Sequence, residues 1–390
     1  MTTILEEAQA LQAVTIKRRR YLHQNPELGM ELPKTCDFVR GELSAMGYAP
    51  QEICPCGLTA TVGLGWPVLL LRADMDALPM SEESGLDFAA QNGCAHTCGH
   101  DLHTAMLLGA AQILKAHEHE LSGTVKLMFQ PAEETINGAA AMVAAGVLSD
   151  PPVDAALALH VSSLDPSGVV YYRAGDIYAS ADGFRIHITG RGGHGASPES
   201  CIDPINIAVQ IYTALQTIIS REKSPAKQAV LTIGSIHGGS ANNVIPDAVE
   251  MLGTLRTYDD GVRQMIKERI EQMSQTIAAM YGGTAEVTYF NGTPSMSADT
   301  AFTGQVVDAL RQVLPPEQVE EFPIIFSGSE DFAEISARVR ATMLILGCAT
   351  GEDCYTHHNP KVIFDEDAMA YGVAAYAGAA LGWLGANSRD

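Results

Sequence analysis

Three apolar segments of the chain end in side chains that carry a charge or an imidazole ring. They are LLLRADMD at 69–76, VKLMFQPAEE at 125–134 and AALALHV at 155–161. Short apolar runs of this kind are typical of strands that are buried on both faces of a parallel sheet. Ligands of open α/β sheets bind at the carboxyl ends of the strands. The three segments therefore predict a sheet whose functional residues gather along one edge.

The order of the predicted elements divides the chain into two domains. A chain of 390 residues exceeds what one hydrophobic core usually organises. In residues 1–180 and 293–390, helical spacing alternates with buried strands, which predicts an α/β catalytic domain with a mixed sheet flanked by helices. Residues 181–292 show the order strand, helix, strand, strand, helix, strand, which predicts an inserted, smaller α+β domain of ferredoxin-like type. Continuous helices are predicted from Leu5 to Gln24 and from about Pro204 to Arg221.

Composition and charge exclude several classes of function. The formal net charge is -22 and Lys plus Arg total 24, whereas a nucleic-acid partner requires a basic surface. The sequence has no run of about eighteen apolar residues, so no membrane span is predicted. The N-terminal segment is polar and acidic where a signal peptide would have its apolar core, so we expect a cytoplasmic protein. Free thiols rather than disulfides are expected for its cysteines.

The segment HTCGHDLHT places a group of metal-ligating side chains immediately before a predicted helix. Cys98 and His100 are two residues apart, with Asp101 and His103 beside them. Thiolate, imidazole and carboxylate together suit a borderline transition metal such as zinc or manganese. The same residues would also cap and pack a helix without any metal, and a Cys98 thiol acting as a nucleophile is a further interpretation.

Further candidate ligands follow apolar strands elsewhere. Glu133 and Glu134 are adjacent after the second segment, so one carboxylate can bind metal while the other faces a substrate water. Taken alone, such a pair is usually a solvated turn. His160 ends the third segment, and His357 and His358 precede Asn-Pro in a loop. A single histidine at a strand end is more often structural, but several at equivalent strand ends favour a metal site.

Two acidic pairs have open roles. Asp74 and Asp76 alternate along the first segment and therefore share a face. A buried carboxylate needs a cation or a hydrogen-bonded partner, and Asp74 could either orient a metal-bound histidine or pair with Arg72. In GSEDFA, Glu330 and Asp331 fit a helix cap and a substrate contact equally well.

The inserted domain carries polar residues in glycine-rich surroundings. GRGGHGASPES contains His194, GGSANNVIPD contains Asn242 and Asn243, and GTLRTYD contains Arg256. Glycines permit a ligand to approach the backbone and the imidazole, and they also permit a tight connection between strands. GRGGHG lacks the Lys-Ser/Thr and the following helix that a phosphate loop needs.

Ten motifs occur in the order seen in the M20 metallopeptidases, and they span almost the whole chain. They are RRRYLHQNPELGMEL, LRADMDALPM, HTCGHDLHTAMLLGAA, FQPAEET, LALHV, GRGGHGASPES, GGSANNVIPD, GTLRTYD, SGSEDFA and HHNPKVIFDEDAM. The chain most resembles the amidohydrolase branch of that family, which contains hippurate hydrolases, aminoacylases and auxin-conjugate hydrolases.

The resemblance implies a site for two divalent metal ions, manganese or zinc, with cobalt and nickel also compatible. It implies Glu133 as the general base and places Asp76 with the catalytic residues. The family's last ligand lies just before the Ser/Asn-Pro step, which favours His358 over His357. The metal ligands that the resemblance implies are Cys98, His100, Glu134, His160 and His358.

The same resemblance implies a role for the inserted domain as a lid and dimerisation module. His194, Asn243 and Arg256 fall on positions that contact the substrate in the family. In relatives this domain mediates dimerisation and can supply its histidine to the site of the partner. A homodimer, or a higher homo-oligomer, is therefore expected, with a small-molecule substrate and neither nucleic acid nor membrane as a partner.

The predicted reaction is hydrolysis of the amide bond of an N-acyl amino acid to a carboxylic acid and a free amino acid. The same chemistry would serve a dipeptidase or aminopeptidase, and also a deacetylase of N-acetyl-diaminopimelate. A non-catalytic binding protein of this fold would require a damaged set of ligands. All five ligand positions and the base are occupied by competent residues.

Overall fold

The computed structural model describes residues 3–388. The α-helices are α1 Ile4–Ala10, α2 Gln12–Gln24, α3 Pro33–Ala45, α4 His100–Ala116, α5 Gly138–Ala144, α6 Pro204–Thr217, α7 Asp260–Met280, α8 Thr300–Val313, α9 Ala333–Ser336 and α10 Met369–Asn387. The strands are β1 Gln51–Cys54, β2 Gly57–Gly63, β3 Val68–Asp74, β4 Thr124–Gln130, β5 Ala155–Ser162, β6 Val170–Tyr172, β7 Gly175–Tyr178, β8 Ala181–Thr189, β9 Gly193–His194, β10 Ala229–His237, β11 Val244–Ile245, β12 Ala248–Thr257, β13 Thr284–Thr293, β14 Met296–Ala298, β15 Val319–Glu321 and β16 Arg340–Gly347.

Two of the predicted helices are interrupted. The helix expected from Leu5 to Gln24 is two helices that meet at Leu11, because α1 packs mainly against α10 whereas α2 packs mainly against α4. The helix expected from Pro204 to Arg221 is α-helical only as far as Thr217 and continues as a π-helical turn, Ile218–Glu222. Helix starts follow local chemistry, since the carboxylates that precede α6, α7 and α8 accept backbone N–H bonds from the first turn.

Contacts between Cα atoms divide the chain into two compact units. The first runs to Ile177 and includes Ser297–Ile324 and the chain from Asp331 onward; the second consists of Tyr178–Met296 and Ile325–Glu330. The contact division additionally groups the short segment Ile325–Glu330 with the inserted part.

The first unit contains an eight-stranded mixed sheet in the order β1-β2-β4-β3-β5-β16-β6-β15. Its central strands β4, β3, β5 and β16 are parallel, whereas β2 pairs with β4 and β6 pairs with β16 in antiparallel fashion. Helix α4 is buried along most of its length and packs closely on α10, where a Cβ atom at Gly109 would lie 2.8 Å from Val373 Cγ2. The α/β fold class with a mixed sheet is therefore confirmed.

The second unit has a four-stranded antiparallel sheet in the order β10-β12-β8-β13. Its core is formed by apolar side chains of β8, α6 and α7, among them Ile186, Ile207, Ile211, Ile266 and Ile270. The main elements follow one another in the order β8, α6, β10, β12, α7, β13. A two-stranded ribbon of β9 and β11 extends from one end of the sheet.

Between residues 3 and 388, none of the helices combines the length and the apolar character needed to cross a lipid bilayer.

Candidate metal centre

Parallel strands bring the predicted metal ligands to one edge of the large sheet. Strand β3 ends at Asp74, β4 ends at Gln130, and His160 lies near the end of β5. Because β3 pairs with both β4 and β5 in parallel, these carboxyl ends are neighbours. Cys98 and His100 lie at the start of α4, whose N-cap Gly99 has a left-handed φ of 87° that suits glycine.

Each of the five predicted ligand side chains has a donor atom within 4.0 Å of a donor atom of another. Cys98 Sγ is 3.5 Å from His160 Nε2, and one ligand atom each of Cys98, His100 and Glu134 falls within a 4.8 Å cluster. Glu134 Oε1 is 3.3 Å from His358 Nε2 and 4.0 Å from His100 Nε2. The structure thus gathers sulfur, nitrogen and oxygen donors from four separate parts of the chain.

Backbone carbonyl groups orient two of the histidine rings. His100 Nδ1 donates to the carbonyl of Asp76 at 2.8 Å, and His160 Nδ1 donates to the carbonyl of Val161 at 2.7 Å. A carbonyl oxygen only accepts, so the Nδ1 atom of each ring carries a proton and Nε2 is the ring atom left for a metal ion. Such hydrogen bonds are typical of metal-binding histidines because they fix the ring and its tautomer.

His103 and His357 lie beside the same cluster but are engaged differently. The N–H of Val161 donates to His103 Nε2 at 2.9 Å while His103 Nδ1 donates to Asp74 Oδ1 at 2.6 Å, so both nitrogens are used. The N–H of Ser163 donates to His357 Nε2 at 3.2 Å, which leaves Nδ1 protonated and facing Cys98 Sγ at 3.9 Å. Burial lowers the pKa of His103 to about 3 and also lowers the pKa of His357, consistent with neutral rings. Both rings therefore support the cluster rather than complete it.

The cluster fits a divalent transition metal. Buried His100 Nε2 has no hydrogen-bond partner among the described residues, and Glu134 Oε1 has an ion-pair contact with His358 but no hydrogen bond there. Buried polar atoms without hydrogen bonds are costly in a protein interior. A thiolate, imidazoles and a carboxylate are the donors that zinc and manganese accept. Burial, reinforced by the charge of Glu134, raises the pKa of the Cys98 thiol, so a cation that binds there must displace a proton.

Asp76 holds both glutamates in place. Its Oδ1 accepts the N–H of Glu133 at 3.0 Å and its Oδ2 accepts the N–H of Glu134 at 3.1 Å. Asp76 Oδ1 also lies 3.5 Å from His100 Nδ1. Ala132, which directly precedes Glu133, has a φ of 56°, an unusual backbone conformation for a residue other than glycine. This turn places Glu133 Oε2 3.9 Å from His100 Nε2, beside the unpartnered donor atoms.

The comparison with known proteins agrees with this chemistry. Residues 70–382 match the model of peptidase family M20/M25/M40. The chain belongs to the M20 family. It is 38% identical over 379 residues to the N-acetyl-L-cysteine deacetylase of Bacillus subtilis (strain 168), covering 94% of this chain and 88% of that protein. It is 37% identical over 375 residues to thermostable carboxypeptidase 2 of Saccharolobus solfataricus (strain ATCC 35092 / DSM 1617 / JCM 11322 / P2), covering 93% of each.

A solved structure shares the architecture. The Bacillus subtilis YxeP protein, described as a dinuclear metal-binding peptidase of the M20 family, superimposes with a TM-score of 0.82 and 32% identity. The similarity covers 96% of this chain and 98% of that one. The M20 resemblance predicted from the ten motifs is confirmed, and the protein is a metal-dependent amidohydrolase of that family.

A buried network of ion pairs and hydrogen bonds lies at the strand ends next to the candidate metal centre of this M20 enzyme. Arg72 donates to Asp74 Oδ2 at 2.7 Å and to Asp331 Oδ1 at 3.1 Å. Gln130 accepts from Arg72 and donates to Asp331 Oδ1 at 2.6 Å, while the N–H of Ala139 donates to Asp331 Oδ2. Asp74 therefore pairs with Arg72 as well as with a histidine. Asp331 joins β3 and β4 to the first turn of α5, where it accepts the N–H of Ala139.

Sequence reasoning missed Gln130 as part of this network. A signal was available, because Arg72 and Gln130 are strongly polar residues within the strands that otherwise read as buried apolar runs. A polar side chain in such a position requires partners inside the protein.

The three predicted substrate contacts lie in the inserted unit and fall into two groups. His194 in β9 is exposed and pairs with Val244 across the ribbon, and the N–H of Gly195 donates to the carbonyl of Asn243 at 2.8 Å. His194 and Asn243 are thus neighbours. They lie beyond one end of the sheet, the end at which β12 begins with Ala248. Arg256 lies at the other end of β12. Arg256 is eight positions after Ala248 in the extended strand, which corresponds to roughly 26 Å.

Arg256 lines a cavity of about 540 Å³ within the inserted unit. Its lining includes the apolar residues Ile219 and Val230 and the polar residues Lys223 and Tyr258. Arg256 Nη1 is buried and has no hydrogen-bond partner among the described residues. A guanidinium group in this condition suits a carboxylate, which can accept two parallel hydrogen bonds.

Proposed function

We propose that this M20 enzyme hydrolyses the amide bond of N-acyl amino acids to a carboxylic acid and a free amino acid. The observation that carries the proposal is the buried cluster of Cys98, His100 and Glu134, with unpartnered donor atoms and the carboxylate of Glu133 beside it. The similarity to an N-acetyl-L-cysteine deacetylase supports an acylated amino acid as the substrate class.

We infer two divalent cations, manganese or zinc, with cobalt and nickel also compatible with the donor set. When bound, these cations would supply Lewis acidity to the scissile carbonyl and to the attacking water. The residues that would hold them are Cys98, His100, Glu134, His160 and His358.

Glu133 is the general base of the proposed reaction. Its carboxylate accepts a proton from the attacking water as the water oxygen bonds to the acyl carbon. Glu133 then delivers this proton to the amine nitrogen as the C–N bond breaks, so that the amino acid leaves as a neutral amine. Asp76 contributes by positioning, because its carboxylate fixes the backbone of both Glu133 and Glu134.

In this proposal, Arg256 binds the carboxylate of the amino-acid part of the substrate. His194 and Asn243 donate hydrogen bonds to the scissile carbonyl oxygen as negative charge develops there. The two groups lie at opposite ends of β12, roughly 26 Å or more apart along the strand. One small substrate cannot contact both groups of the same chain. We therefore infer a homodimer in which the partner supplies one of the two groups.

An exposed apolar stripe on α6 supports self-association. Ile205, Val209 and Tyr212 are all exposed and are spaced i, i+4 and i+7 on the helix. That spacing places them on one face. Contiguous exposed apolar residues on a helix face are typical of protein interfaces, and a second copy of this chain would cover them symmetrically.

A peptidase activity is the second candidate. The similarity to a thermostable carboxypeptidase favours a peptidyl group in place of a simple acyl group. Release of a C-terminal amino acid also hydrolyses an amide bond to a carboxylic acid and a free amino acid. Dipeptides with a free amino group and N-acetyl-diaminopimelate are further substrates that this chemistry would accept.

A substrate panel separates these activities. The chelated enzyme is assayed for amine release, before and after addition of manganese or zinc, on acetyl, benzoyl, indole-acetyl and long-chain acyl amino acids, on dipeptides, on N-blocked peptides and on N-acetyl-diaminopimelate. We expect metal-restored cleavage to be fastest on an N-acyl amino acid. Cleavage confined to free dipeptides or peptides would overturn the proposal in favour of a peptidase.

A further inference from the structure

A second cluster of metal-ligating side chains lies outside the M20 centre, in the first unit. It consists of Cys36 in α3, Glu52 in β1 and Cys56 in the turn between β1 and β2. The two sulfur atoms and a carboxylate oxygen of Glu52 all lie within 4.8 Å of one another. None of these residues contributes to the amide hydrolysis proposed above.

Hydrogen bonds hold the three donors in position. The N–H of Cys56 donates to Glu52 Oε1 at 2.9 Å, and the N–H of Leu32 donates to Cys56 Sγ at 3.3 Å. Arg40 Nη2 donates to Cys36 Sγ at 3.5 Å and also to the Glu52 carboxylate. Bonds from N–H groups to sulfur stabilise thiolates and are typical of the surroundings of metal-bound cysteines. Cys56 itself has a φ of 56°, so the turn adopts a backbone conformation that few side chains accept.

The size and charge of the cluster suit one soft divalent cation. In a tetrahedral zinc site with Zn–S bonds of about 2.3 Å, two sulfur atoms are about 3.8 Å apart. The two sulfur atoms of the cluster lie within 4.8 Å of each other, which is compatible with that separation. Two thiolates and a carboxylate around a divalent cation carry one net negative charge. The guanidinium of Arg40, which contacts Cys36 and Glu52, offsets that charge.

Neither thiol is ionised without a cation. Burial raises the pKa of Cys36 to about 12, and burial also raises the pKa of Cys56. Thiols with such raised pKa values are poor nucleophiles at neutral pH, which disfavours a reactive or redox-sensing cysteine pair. A cation would have to displace both protons, as it does in structural cysteine sites.

We propose that Cys36, Glu52 and Cys56 form a binding site for a single soft divalent cation such as zinc, separate from the M20 metal centre. Binding forms two metal–sulfur bonds and one metal–oxygen bond, and it releases the two thiol protons to solvent without any change of oxidation state. A water molecule completes the tetrahedral coordination.

Cadmium is the probe that tests this site, because cadmium thiolates absorb in the ultraviolet. The reduced, chelated Cys98→Ala enzyme is titrated with CdCl₂, so that the thiolate of the M20 centre does not contribute. We expect the thiolate absorption to saturate at one cadmium per chain. It should disappear when Cys36→Ser and Cys56→Ser are added and persist when Cys201→Ser, a cysteine of the inserted unit, is added as the matched control.

Two further measurements guard against misfolding and oxidation. The single variant Cys56→Ser replaces a half-buried side chain, and we expect it to keep the thermal midpoint of the parent while weakening cadmium binding at least tenfold. Absorption that persists in the Cys36/Cys56 double variant would overturn the proposal, as would the absence of any thiolate absorption in the parent. Thiol counting after treatment with reductant is the second measurement. A count two below the number of cysteines would overturn the proposal as well, since Cys36 and Cys56 would then form a disulfide.

Discussion

At the scale of single residues, the tautomer of each histidine decides what the metal centre can do. His100 and His160 each donate a hydrogen bond from Nδ1 to a backbone carbonyl. His103 and His357 each accept a hydrogen bond from a backbone N–H at Nε2. The resemblance implied His100 and His160 as ligands together with Cys98, whereas His103 was a candidate beside Cys98 in sequence and His357 was less favoured than His358. The sequence could not predict which ring nitrogen faces the cluster, because that depends on carbonyl and N–H groups of other strands.

Replacement of Glu133 by Gln should remove nearly all turnover and leave the metals in place. The amide has the size of the carboxylate but cannot accept the proton of the attacking water. We expect kcat to fall by about 10²- to 10⁴-fold, the usual contribution of a general base. Metal content measured by mass spectrometry should match the parent, and Glu120→Gln, at an exposed position, is the control. Near-normal kcat would remove Glu133 from this role.

Metal affinity should increase with pH. Burial raises the pKa of Cys98, so below that pKa the thiol is protonated and each bound cation must displace the proton. The apparent Kd should therefore fall by about tenfold per pH unit for each displaced proton, measured across about pH 6 to 8 by competition with a chelating dye. In Cys98→Ala this slope should become shallower. An equal slope in both proteins would argue against Cys98 as a ligand.

At the scale of elements, the strands were predictable and their cross-links were not. Apolar runs predicted β3, β4 and β5, together with the edge where their polar residues meet. The partner of Arg72 in the first segment is Asp331, more than 250 residues later in the chain, and only the fold brings them within 3.1 Å. The break of the first predicted helix at Leu11 has the same origin, because it reflects two different packing partners.

Loss of Asp331 should destabilise the carboxyl ends of β3 and β4. The variant Asp331→Ala removes one carboxylate from Arg72 and one acceptor from Gln130, both fully buried. Breaking a buried pair of this kind costs about 3–5 kcal/mol of unfolding free energy. The control Glu334→Ala removes a pair with the exposed Arg338 and should cost less than about 1 kcal/mol. Urea unfolding followed by circular dichroism measures both, and equal effects would contradict the assigned role of the network.

At the scale of the whole molecule, the arrangement of the inserted unit predicts complementation between inactive chains. His194→Ala and Glu133→Gln should each be inactive alone. If the partner supplies His194, random mixing makes half of the dimers hybrid, and each hybrid has one intact site of two. Mixing equal amounts should then recover about a quarter of the parental activity per chain. Hybrid dimers that form but remain inactive would show that His194 serves its own chain.

The most direct test of the metal centre is a titration of the chelated enzyme with manganese, in which bound metal and hydrolysis of an N-acetyl amino acid are measured in the same sample. Manganese prefers oxygen and nitrogen donors, so the thiol cluster of Cys36 and Cys56 should not add to the count. We predict no turnover without metal and a maximum at about two ions per chain. Full turnover by the metal-free enzyme would contradict the role assigned to Cys98, His100, Glu134, His160 and His358.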